Sequence, residues 1–285
     1  MASPISSVGV VGSGIMAAGI VEVVAAGGYD VIVRARTTAG AESVRTSIGG
    51  RLSRLVERGR CSEDDRSTTL GRISATEHLA DLAECDLVIE TVAEDLTIKK
   101  HVMAELGSHL ADHTIIATNT STLPVVELAM ASGRPDRVAG LHFFNPATAM
   151  TLVEIVRPIT VSDTTIETLR AFAASCQRQI VEVADRAGFV VNALLFPYLN
   201  AAIAMCERGT ASIDDIDTAM KGGCGFPMGP FELLDLIGLD TSLSILEALH
   251  REFGDPGMVP QPALRRLVAA GHLGRKTGRG FRDHT

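Results

Sequence analysis

Short apolar runs rich in valine and isoleucine recur between residues 7 and 156 and predict β-strands. They are Ser7–Val11, Val31–Arg34, Asp86–Val92, Thr114–Thr118, Val138–Phe143 and Leu152–Val156. Stretches compatible with helices separate the earlier runs, and this alternation is typical of a parallel, doubly wound sheet. We therefore expect an α/β domain in this part of the chain.

The hydrophobic pattern changes near residues 184–188, where strand-like runs give way to longer helical stretches. The predicted helices are Ile213–Lys221, Phe231–Ile237, Thr241–Phe253 and Gln261–Ala270. The proline-containing turn Gly225–Pro230 separates two of them. A length of 285 residues also favours two domains over one. We expect the α/β domain to cover residues 1–184 and an all-helical domain to cover residues 185–285.

The stretch Gly188–Cys206 contains no charged residue. It also carries Asn192, Tyr198, Asn200 and a central Pro197, and densely charged segments surround it. A helix that is apolar all round is as often buried in a protein core or a subunit interface as in lipid. We predict a buried helix that contributes to a homodimer interface, and no membrane partner.

The charge and the amino-acid composition exclude some classes of binding partner. A net charge of −8 and a pI near 5.5 argue against a nucleic-acid-binding protein. The five cysteines form no C-x-x-C pair, and His109 and His113 have no third ligand, so no metal site is predicted. Unpaired thiols and the lack of a recognisable targeting peptide predict a cytoplasmic protein.

The first predicted strand leads directly into a glycine-rich turn that opens a helix. The turn consists of Gly12, Ser13, Gly14, Ile15, Met16 and Ala17, a G-x-G-x-x-A pattern. Gly12 permits the tight turn, Gly14 lets a pyrophosphate approach the backbone, and the helix N-terminus binds the phosphates. With the second strand the turn forms a βαβ unit of the Rossmann type, so we expect these six residues to bind a dinucleotide. The alternative is a glycine-rich turn without a ligand.

The residues after the second strand bear on the choice of cofactor. An NAD-binding unit usually places Asp or Glu there to bind the ribose hydroxyls, whereas this chain has Ala35 between Arg34 and Arg36. Guanidinium groups suit a 2′-phosphate. The cofactor is therefore NAD or NADP, with NADP weakly favoured by Ala35 and Arg36. The alternative is that both arginines are solvated and NAD is used.

Residues 138–154 read VAGLHFFNPATAMTLVE and place His142 at the end of one apolar run and Glu154 in the next. If the two runs are neighbouring strands, the imidazole and the carboxylate face each other. A carboxylate fixes the tautomer of an imidazole and stabilises the imidazolium that forms when the ring takes a proton. The pair predicts acid–base catalysis on an alcohol.

Two polar segments follow the predicted strands at Asp86–Val92 and Thr114–Thr118. The first contains Glu94 and Lys99, and the second contains Ser121. Ligands of doubly wound sheets lie beyond the carboxyl ends of the strands, so these residues are candidates for a site. The alternatives are a solvated helix start and an ordinary helix cap.

Together, several motifs resemble the short-chain L-3-hydroxyacyl-CoA dehydrogenases, with the bacterial 3-hydroxybutyryl-CoA dehydrogenases as the closest type. They are VGVVGSGIMAAGI, E-D-L-x-x-K, NTST, HFFNP with the later Glu, GFVVNALL, GFPMGPFELLDLIGLDT and GRKTGRGF. They occur in the family's order over almost the whole chain. The resemblance implies a Rossmann-type domain, a helical domain that forms most of a homodimer interface, and an acyl-CoA substrate.

The resemblance also implies roles for single residues. His142 matches the general acid/base, Glu154 its orienting partner, and Ser121 the serine near the reacting oxygen and the nicotinamide. Asn192 matches the asparagine of the substrate's polar pocket. The positions that match cofactor contacts are Glu94, Lys99, Ser121, Asn145 and, more weakly, Lys276.

Three positions depart from the family pattern: Ala35 replaces the acid after the second strand, Asp95 replaces an Asn, and Thr148 replaces a Pro. Two other functions stay open. One is a dehydrogenase of a non-CoA 3-hydroxy acid or sugar acid, as in the related gulonate dehydrogenases, and the other is a non-catalytic cofactor-binding protein. A predicted helix after the second strand carries four arginines, namely Arg51, Arg54, Arg58 and Arg60. They either bind a phosphate of CoA or form an ordinary charged helix face.

Overall fold

The computed structural model describes residues 5–284, and the chain divides into two compact units, Met1–Asp185 and Arg186–Thr285. The first unit is built on one sheet of eight strands in the order β3-β2-β1-β4-β5-β6-β7-β8. The strands are β1 (Ser7–Val11), β2 (Asp30–Arg34), β3 (Ile73–Thr76), β4 (Leu87–Glu90), β5 (Ile115–Thr118), β6 (Val138–Phe143), β7 (Leu152–Arg157) and β8 (Gln179–Ala184). All neighbours are parallel except β6 and β7.

The strand order reverses at β1, which pairs with β2 on one side and β4 on the other. This reversal is the topological switch point at which doubly wound sheets bind ligands. The predicted α/β fold is confirmed. The strands β3 and β8 were not predicted, because ISAT is short and QIVEVA mixes charged with apolar residues.

Within residues 5–284, six α-helices accompany the sheet. They are α1 (Ile15–Ala26), α2 (Thr38–Glu57), α3 (Glu63–Gly71), α4 (Leu96–His109), α5 (Val125–Ala131) and α6 (Asp163–Ser175). Side chains of Thr37, Ser62, Asp95 and Ser162 accept hydrogen bonds from the first turns of α2, α3, α4 and α6, respectively. Because Asp caps a helix as well as Asn does, the departure at Asp95 preserves the start of α4.

The core of the first unit lies on both faces of the sheet. Val8 and Val10 of β1 belong to one buried cluster, and Val11 belongs to a second cluster with Val88 and Met103. This division follows from the alternation of side chains along a strand. A sheet buried on both faces explains why the strands read as nearly continuous apolar runs.

The second unit is helical, as predicted. Its helices are α7 (Val191–Glu207), α8 (Ile213–Cys224), α9 (Pro230–Ile237), α10 (Leu239–Phe253) and α11 (Pro262–Ala269). Phe196, Phe231 and Leu246 are buried in its core. The buried carboxylate of Asp235 accepts hydrogen bonds from the backbone N–H groups of Phe281 (2.9 Å) and Arg282 (3.0 Å), and so holds the last residues against α9.

The apolar stretch after Gly188 forms α7, a helix of 17 residues. Asn192, Phe196 and Leu199 are buried, whereas Leu194 is 72% exposed. Within residues 5–284, no helix is both long and apolar enough to cross a membrane.

Candidate active site

The glycine-rich turn connects β1 to α1 at the switch point of the sheet. Gly12 has a φ of +142°, and a Cβ at this position would lie 2.4 Å from Oγ1 of Thr91. The N–H of Gly12 also donates to the carbonyl of Arg34 at 2.9 Å. Only glycine fits this backbone conformation and this close approach. The turn is therefore held tightly between β2 and the segment after β4.

The next part of the turn is open. A Cβ on Gly14 would meet no atom within 4 Å, and among the described residues no side chain caps the N-terminus of α1. Ala17 is fully buried against the sheet, whereas Ile15 is 78% exposed. An uncapped helix N-terminus beside open space is the geometry that receives a pyrophosphate. The residues of this turn therefore fit a dinucleotide.

The loop that follows β3 places a carboxylate near the carboxyl end of β2. Ala35 is buried, and Glu77 follows β3. The N–H of Thr38 donates to Oε2 of Glu77 at 2.8 Å, and this hydrogen bond lowers the pKa of Glu77. Nε of Arg34 donates to the carbonyl of Glu77 at 3.2 Å, whereas Arg36 is exposed. Glu77 is thus ionised at neutral pH at the first turn of α2.

A buried ion pair lies at the carboxyl end of β4. Glu90 and Lys99 are 0% and 1% exposed, and Nζ of Lys99 is 2.8 Å from Oε1 and 2.9 Å from Oε2 of Glu90. Oγ1 of Thr118 donates to Oε2 of Glu90 at 2.7 Å. A solvated helix start is therefore the wrong interpretation for Lys99. The pair joins α4 to the ends of β4 and β5.

Glu94 connects this pair to the segment after β5. Its Oε2 is 3.5 Å from Nζ of Lys99, and its Oε1 accepts hydrogen bonds from Oγ1 of Thr120 (2.6 Å) and the N–H of Ser121 (2.8 Å). Thr120 also accepts a hydrogen bond from the N–H of Leu123 at 3.1 Å, so part of the Ser/Thr run caps a turn. The structure brings three predicted residues, Glu94, Lys99 and Ser121, into one network.

His142 and Glu154 face each other on neighbouring strands, as predicted. They are directly paired in the antiparallel register of β6 and β7, and Nδ1 of His142 is 2.8 Å from Oε2 of Glu154. Both side chains are buried. Because an ionised carboxylate only accepts hydrogen bonds, Nδ1 carries the hydrogen and donates it. The arrangement fixes one tautomer of the imidazole.

Two further contacts hold the segment around His142. The N–H of Phe143 donates to Oδ1 of Asn119 at 2.8 Å, which joins β6 to the segment after β5. The ring of Phe144 lies against the imidazole with a centroid distance of 4.5 Å. Asn145 follows directly and begins the cis Asn145–Pro146 bond. The site therefore includes the start of the β6–β7 connection.

Two predicted residues belong to the second unit. Asn192 lies buried in the first turn of α7. Nζ of Lys276 is 2.6 Å and 2.7 Å from the two carboxylate oxygens of Asp240. Burial raises the pKa of Asp240, but the hydrogen bond and charge of Lys276, together with backbone hydrogen bonds from Thr241 and Asp240 itself, outweigh this effect and lower that pKa. The cofactor and substrate roles of Asn192 and Lys276 stay predictions.

Three residues at the carboxyl edge of the sheet were not predicted as part of the site: Glu77, Glu90 and Thr118. Asn119 lay in the predicted candidate segment but had no role assigned to it. Glu90 and Thr118 are the last residues of β4 and β5, and Asn119 follows β5 directly. A polar residue that ends an apolar run is a usable signal, because carboxyl ends of parallel strands meet at one edge of the sheet. Glu77 gave no such signal, since β3 itself was not predicted.

Comparison with known proteins agrees with this geometry. The family model described as "3-hydroxyacyl-CoA dehydrogenase, NAD binding domain" matches residues 7–186, and the model for the C-terminal domain of the same family matches residues 188–284. A 3-hydroxybutyryl-CoA dehydrogenase of Bradyrhizobium diazoefficiens is 42% identical over 284 residues, which cover 100% of this chain and 97% of the relative. One from Mycobacterium tuberculosis is 43% identical, with 99% of each chain covered.

Solved structures give the same result. The crystal structure of M. tuberculosis FadB2 has a TM-score of 0.97 and 42% identity, covering 99% of this chain and 100% of that chain. The (S)-3-hydroxybutyryl-CoA dehydrogenase PaaH1 from Ralstonia eutropha has a TM-score of 0.95 and 38% identity, with 99% of each chain covered. The chain therefore belongs to the 3-hydroxyacyl-CoA dehydrogenase family of nicotinamide-dependent oxidoreductases.

Proposed function

We propose that the protein interconverts (S)-3-hydroxybutyryl-CoA and acetoacetyl-CoA by hydride transfer at C3. The observation that carries the proposal is the buried hydrogen bond of 2.8 Å between Nδ1 of His142 and Oε2 of Glu154. The pair lies on β6 and β7, which come after β1 and β5 in the sheet order. The dinucleotide turn follows β1, and the Ser121 segment follows β5. A protein that only bound a cofactor would need no such acid–base pair.

His142 is the general acid/base in this proposal. Because Nδ1 is hydrogen-bonded to Glu154, Nε2 is the ring nitrogen that exchanges the proton with the C3 oxygen of the substrate. In oxidation the ring takes the proton of the hydroxyl, and Glu154 stabilises the imidazolium that forms. In reduction the imidazolium returns the proton to the forming alkoxide. Glu154 thus acts by fixing the orientation of the imidazole ring and by stabilising its positive charge.

Ser121 and Asn192 are proposed to position the substrate, with Ser121 at the C3 oxygen and Asn192 at the thioester carbonyl. Hydrogen bonds that hold a reacting group in place lower the barrier by avoiding a loss of entropy in the transition state. Glu94 accepts the N–H of Ser121 and so fixes the backbone at that residue. The Ser121 hydroxyl would then be presented from a rigid segment.

The cofactor is proposed to bind along the turn from Gly12 to Ala17. When bound, the nicotinamide supplies C4 as the donor or acceptor of the hydride. Asn145, which follows β6, is proposed as a contact beside the dinucleotide. Glu94, Lys99 and Lys276 keep the cofactor-contact role that the family resemblance implies.

We also propose that the protein accepts NADP(H), or at least has no strong preference for NAD(H). Ala35 leaves no carboxylate at the end of β2, and the exposed Arg36 supplies a cation for a 2′-phosphate. The carboxylate of Glu77 at the N–H of Thr38 acts against this preference, because it repels a phosphate at the same turn. The balance between Arg36 and Glu77 decides the cofactor.

CoA carries a phosphorylated adenosine, which needs cations. Of the four arginines that the sequence suggested for the CoA phosphate, Arg51 forms an ion pair with Glu22, so its charge is already compensated. Arg54, Arg58 and Arg60 are exposed. We propose these three as the contacts to the CoA phosphates.

A homodimer through the second unit is part of the proposal. Leu194 on α7 is 72% exposed, and Phe226 and Leu236 are exposed by more than two fifths, at 43% and 46%. Large exposed apolar side chains on one helical domain favour an interface over solvent. We place the protein in the cytoplasm, where its free cysteines would stay reduced.

The experiment that tests the function compares substrates. Purified protein is mixed either with acetoacetyl-CoA or free acetoacetate and NADH or NADPH, to follow reduction, or with a gulonate-type sugar acid and NAD or NADP, to follow oxidation. Reduced-cofactor absorbance reports turnover. The proposal predicts rapid reduction of acetoacetyl-CoA and little reaction with the free acids. Faster turnover of the sugar acid would assign the protein to the non-CoA branch, and no turnover of any substrate would leave a cofactor-binding protein.

A further inference from the structure

We propose that Asn119 is a positioning residue for the reaction. Its side-chain amide extends the sheet by one hydrogen bond beyond the end of β5, and this bond fixes His142 relative to Ser121. The inference rests on the proposed roles of His142 and Ser121. Asn119 acts through the backbone of its neighbours and contacts neither the substrate nor the cofactor.

At the carboxyl edge of the sheet, β6 runs further than β5. The last residues that are paired between the two strands are Thr118 and Gly140. The strand β6 continues to Phe143, and on its other edge Phe143 is still paired with Val153 of β7. Within residues 5–284, no strand lies beside the first edge of β6 at His142 and Phe143.

The side chain of Asn119 takes the place of a strand at this edge. Its Oδ1 accepts the N–H of Phe143 at 2.8 Å, and Phe143 is only 2% exposed. A buried backbone N–H without an acceptor is strongly unfavourable, so the hydrogen bond holds the end of β6 in place. Because His142 directly precedes Phe143, the same bond fixes the backbone that carries the imidazole.

The backbone of Asn119 is held independently of its side chain. Its N–H donates to the carbonyl of Glu90 at 2.9 Å, which keeps Asn119 beside β4. Ser121 follows two residues later, and its own N–H is bonded to Glu94. A change that is confined to the Asn119 side chain therefore leaves these contacts in place and releases only the end of β6.

The proposed reaction requires that the imidazole of His142 and the hydroxyl of Ser121 reach the same C3 oxygen. Glu154 orients the imidazole from β7, on the far side of β6 from Ser121. The bond from Asn119 to Phe143 is the connection on the near side. Since a misplacement of about 1 Å can slow a reaction about 100-fold, this bond matters for turnover.

Three substitutions of Asn119 separate the acceptor of its amide from the donor. Asn119→Ala removes both, whereas Asn119→Asp keeps an oxygen for the N–H of Phe143 and removes the N–H donors. Asn119→Ser has a side chain too short to replace the amide, and it serves if the alanine variant fails to fold. Asn200→Ala is the matched control, because Nδ2 of the buried Asn200 donates to the carbonyls of Gly257 and Val259 in the second unit.

Each variant is assayed for kcat with saturating acetoacetyl-CoA and reduced cofactor, for the KM of acetoacetyl-CoA, and for amide hydrogen exchange of residues 141–145. We expect faster exchange in Asn119→Ala and Asn119→Ser. Their kcat should fall about 10- to 100-fold, as for a misplaced catalytic group, and KM should change little. Asn119→Asp should restore slow exchange and most of the turnover. Asn200→Ala should lower Tm and leave kcat and this exchange unchanged.

The inference is overturned if Asn119→Ala keeps the kcat of the unaltered protein, or if its kcat falls without faster exchange at residues 141–145. An equal loss of kcat in Asn119→Asp would also overturn it, because the amide donor would then be the group that acts. A loss of the same size in Asn200→Ala would overturn it too, by tracing the effect to stability. Failure of the proposed function is distinguishable, since the unaltered protein would then show no turnover while hydrogen exchange still reported on the end of β6.

Discussion

His142 and Glu154 occupy directly opposite positions of the antiparallel strands β6 and β7, with 2.8 Å between Nδ1 and Oε2. Opposite residues of an antiparallel pair project from the same face of the sheet. Their neighbours Val153 and Ile155 are fully buried in the core, so a shift in register would expose them. The geometry of the acid–base pair is thus set by strand pairing and core packing.

Replacing Glu154 with Gln tests the orienting role. The amide keeps the shape of the side chain, but it cannot stabilise an imidazolium and can hold the wrong tautomer. We expect kcat to fall about 10²-fold or more, as for loss of an orienting carboxylate in other enzymes. Steady-state kinetics check this, and thermal unfolding serves as the control for folding. Turnover equal to that of the unaltered protein would show that Glu154 does not serve His142.

The two glycines of the dinucleotide turn should respond differently to alanine. Gly12→Ala places a Cβ 2.4 Å from Oγ1 of Thr91 at a φ of +142°. We expect it to destabilise the fold by about 1–3 kcal/mol. Gly14→Ala meets no atom within 4 Å, so its stability should change by about 0.5 kcal/mol or less.

Gly14→Ala should nevertheless weaken cofactor binding about tenfold or more, because its methyl group lies where the pyrophosphate approaches the backbone. Denaturant unfolding and fluorescence titration with NADH and NADPH separate the two effects. Unaltered cofactor affinity in Gly14→Ala would place the dinucleotide elsewhere.

Cofactor choice should follow the charges beside β2. Glu77→Gln removes the carboxylate that accepts the N–H of Thr38, so a 2′-phosphate meets less repulsion. We expect the ratio of kcat/KM for NADPH to that for NADH to rise about fivefold, the size of a partly screened charge contact. Arg36→Ser should lower the same ratio by about as much. If neither variant moves the ratio, the adenosine ribose does not bind between these residues.

Leu194 should test the predicted homodimer. It is 72% exposed on α7, and a charge in an apolar interface is strongly unfavourable. We expect Leu194→Glu to elute as a monomer in size-exclusion chromatography with light scattering, whereas the unaltered protein elutes as a dimer. Ile159→Glu is the matched control, because Ile159 is 95% exposed in the first unit. A monomeric unaltered protein, or a dimer that survives Leu194→Glu, would contradict the assignment.

Local hydrophobic patterns and motif spacing predicted most strands of the sheet and the pairing of the catalytic residues. Apolar runs rich in valine or isoleucine predicted β1, β2, β4, β5, β6 and β7, and the spacing around HFFNP predicted that His142 faces Glu154. The partners of Glu77 and Lys99 could not be predicted in this way. Thr38 and Glu77 are 39 positions apart, and their contact exists only because β2 and β3 are paired. Similarly, the sequence around Lys99 does not indicate that the ammonium group of Lys99 is buried against Glu90.

Reduction of acetoacetyl-CoA by the unaltered protein and by His142→Gln decides whether His142 is the general acid of the reaction. Both proteins are first shown to fold and to bind reduced cofactor with similar Kd, and turnover is then followed by loss of reduced-cofactor absorbance. We expect rapid reduction by the unaltered protein and a rate about 10²- to 10⁴-fold lower for His142→Gln, which is typical of losing a general acid. Equal rates for the two proteins would show that His142 is not the general acid.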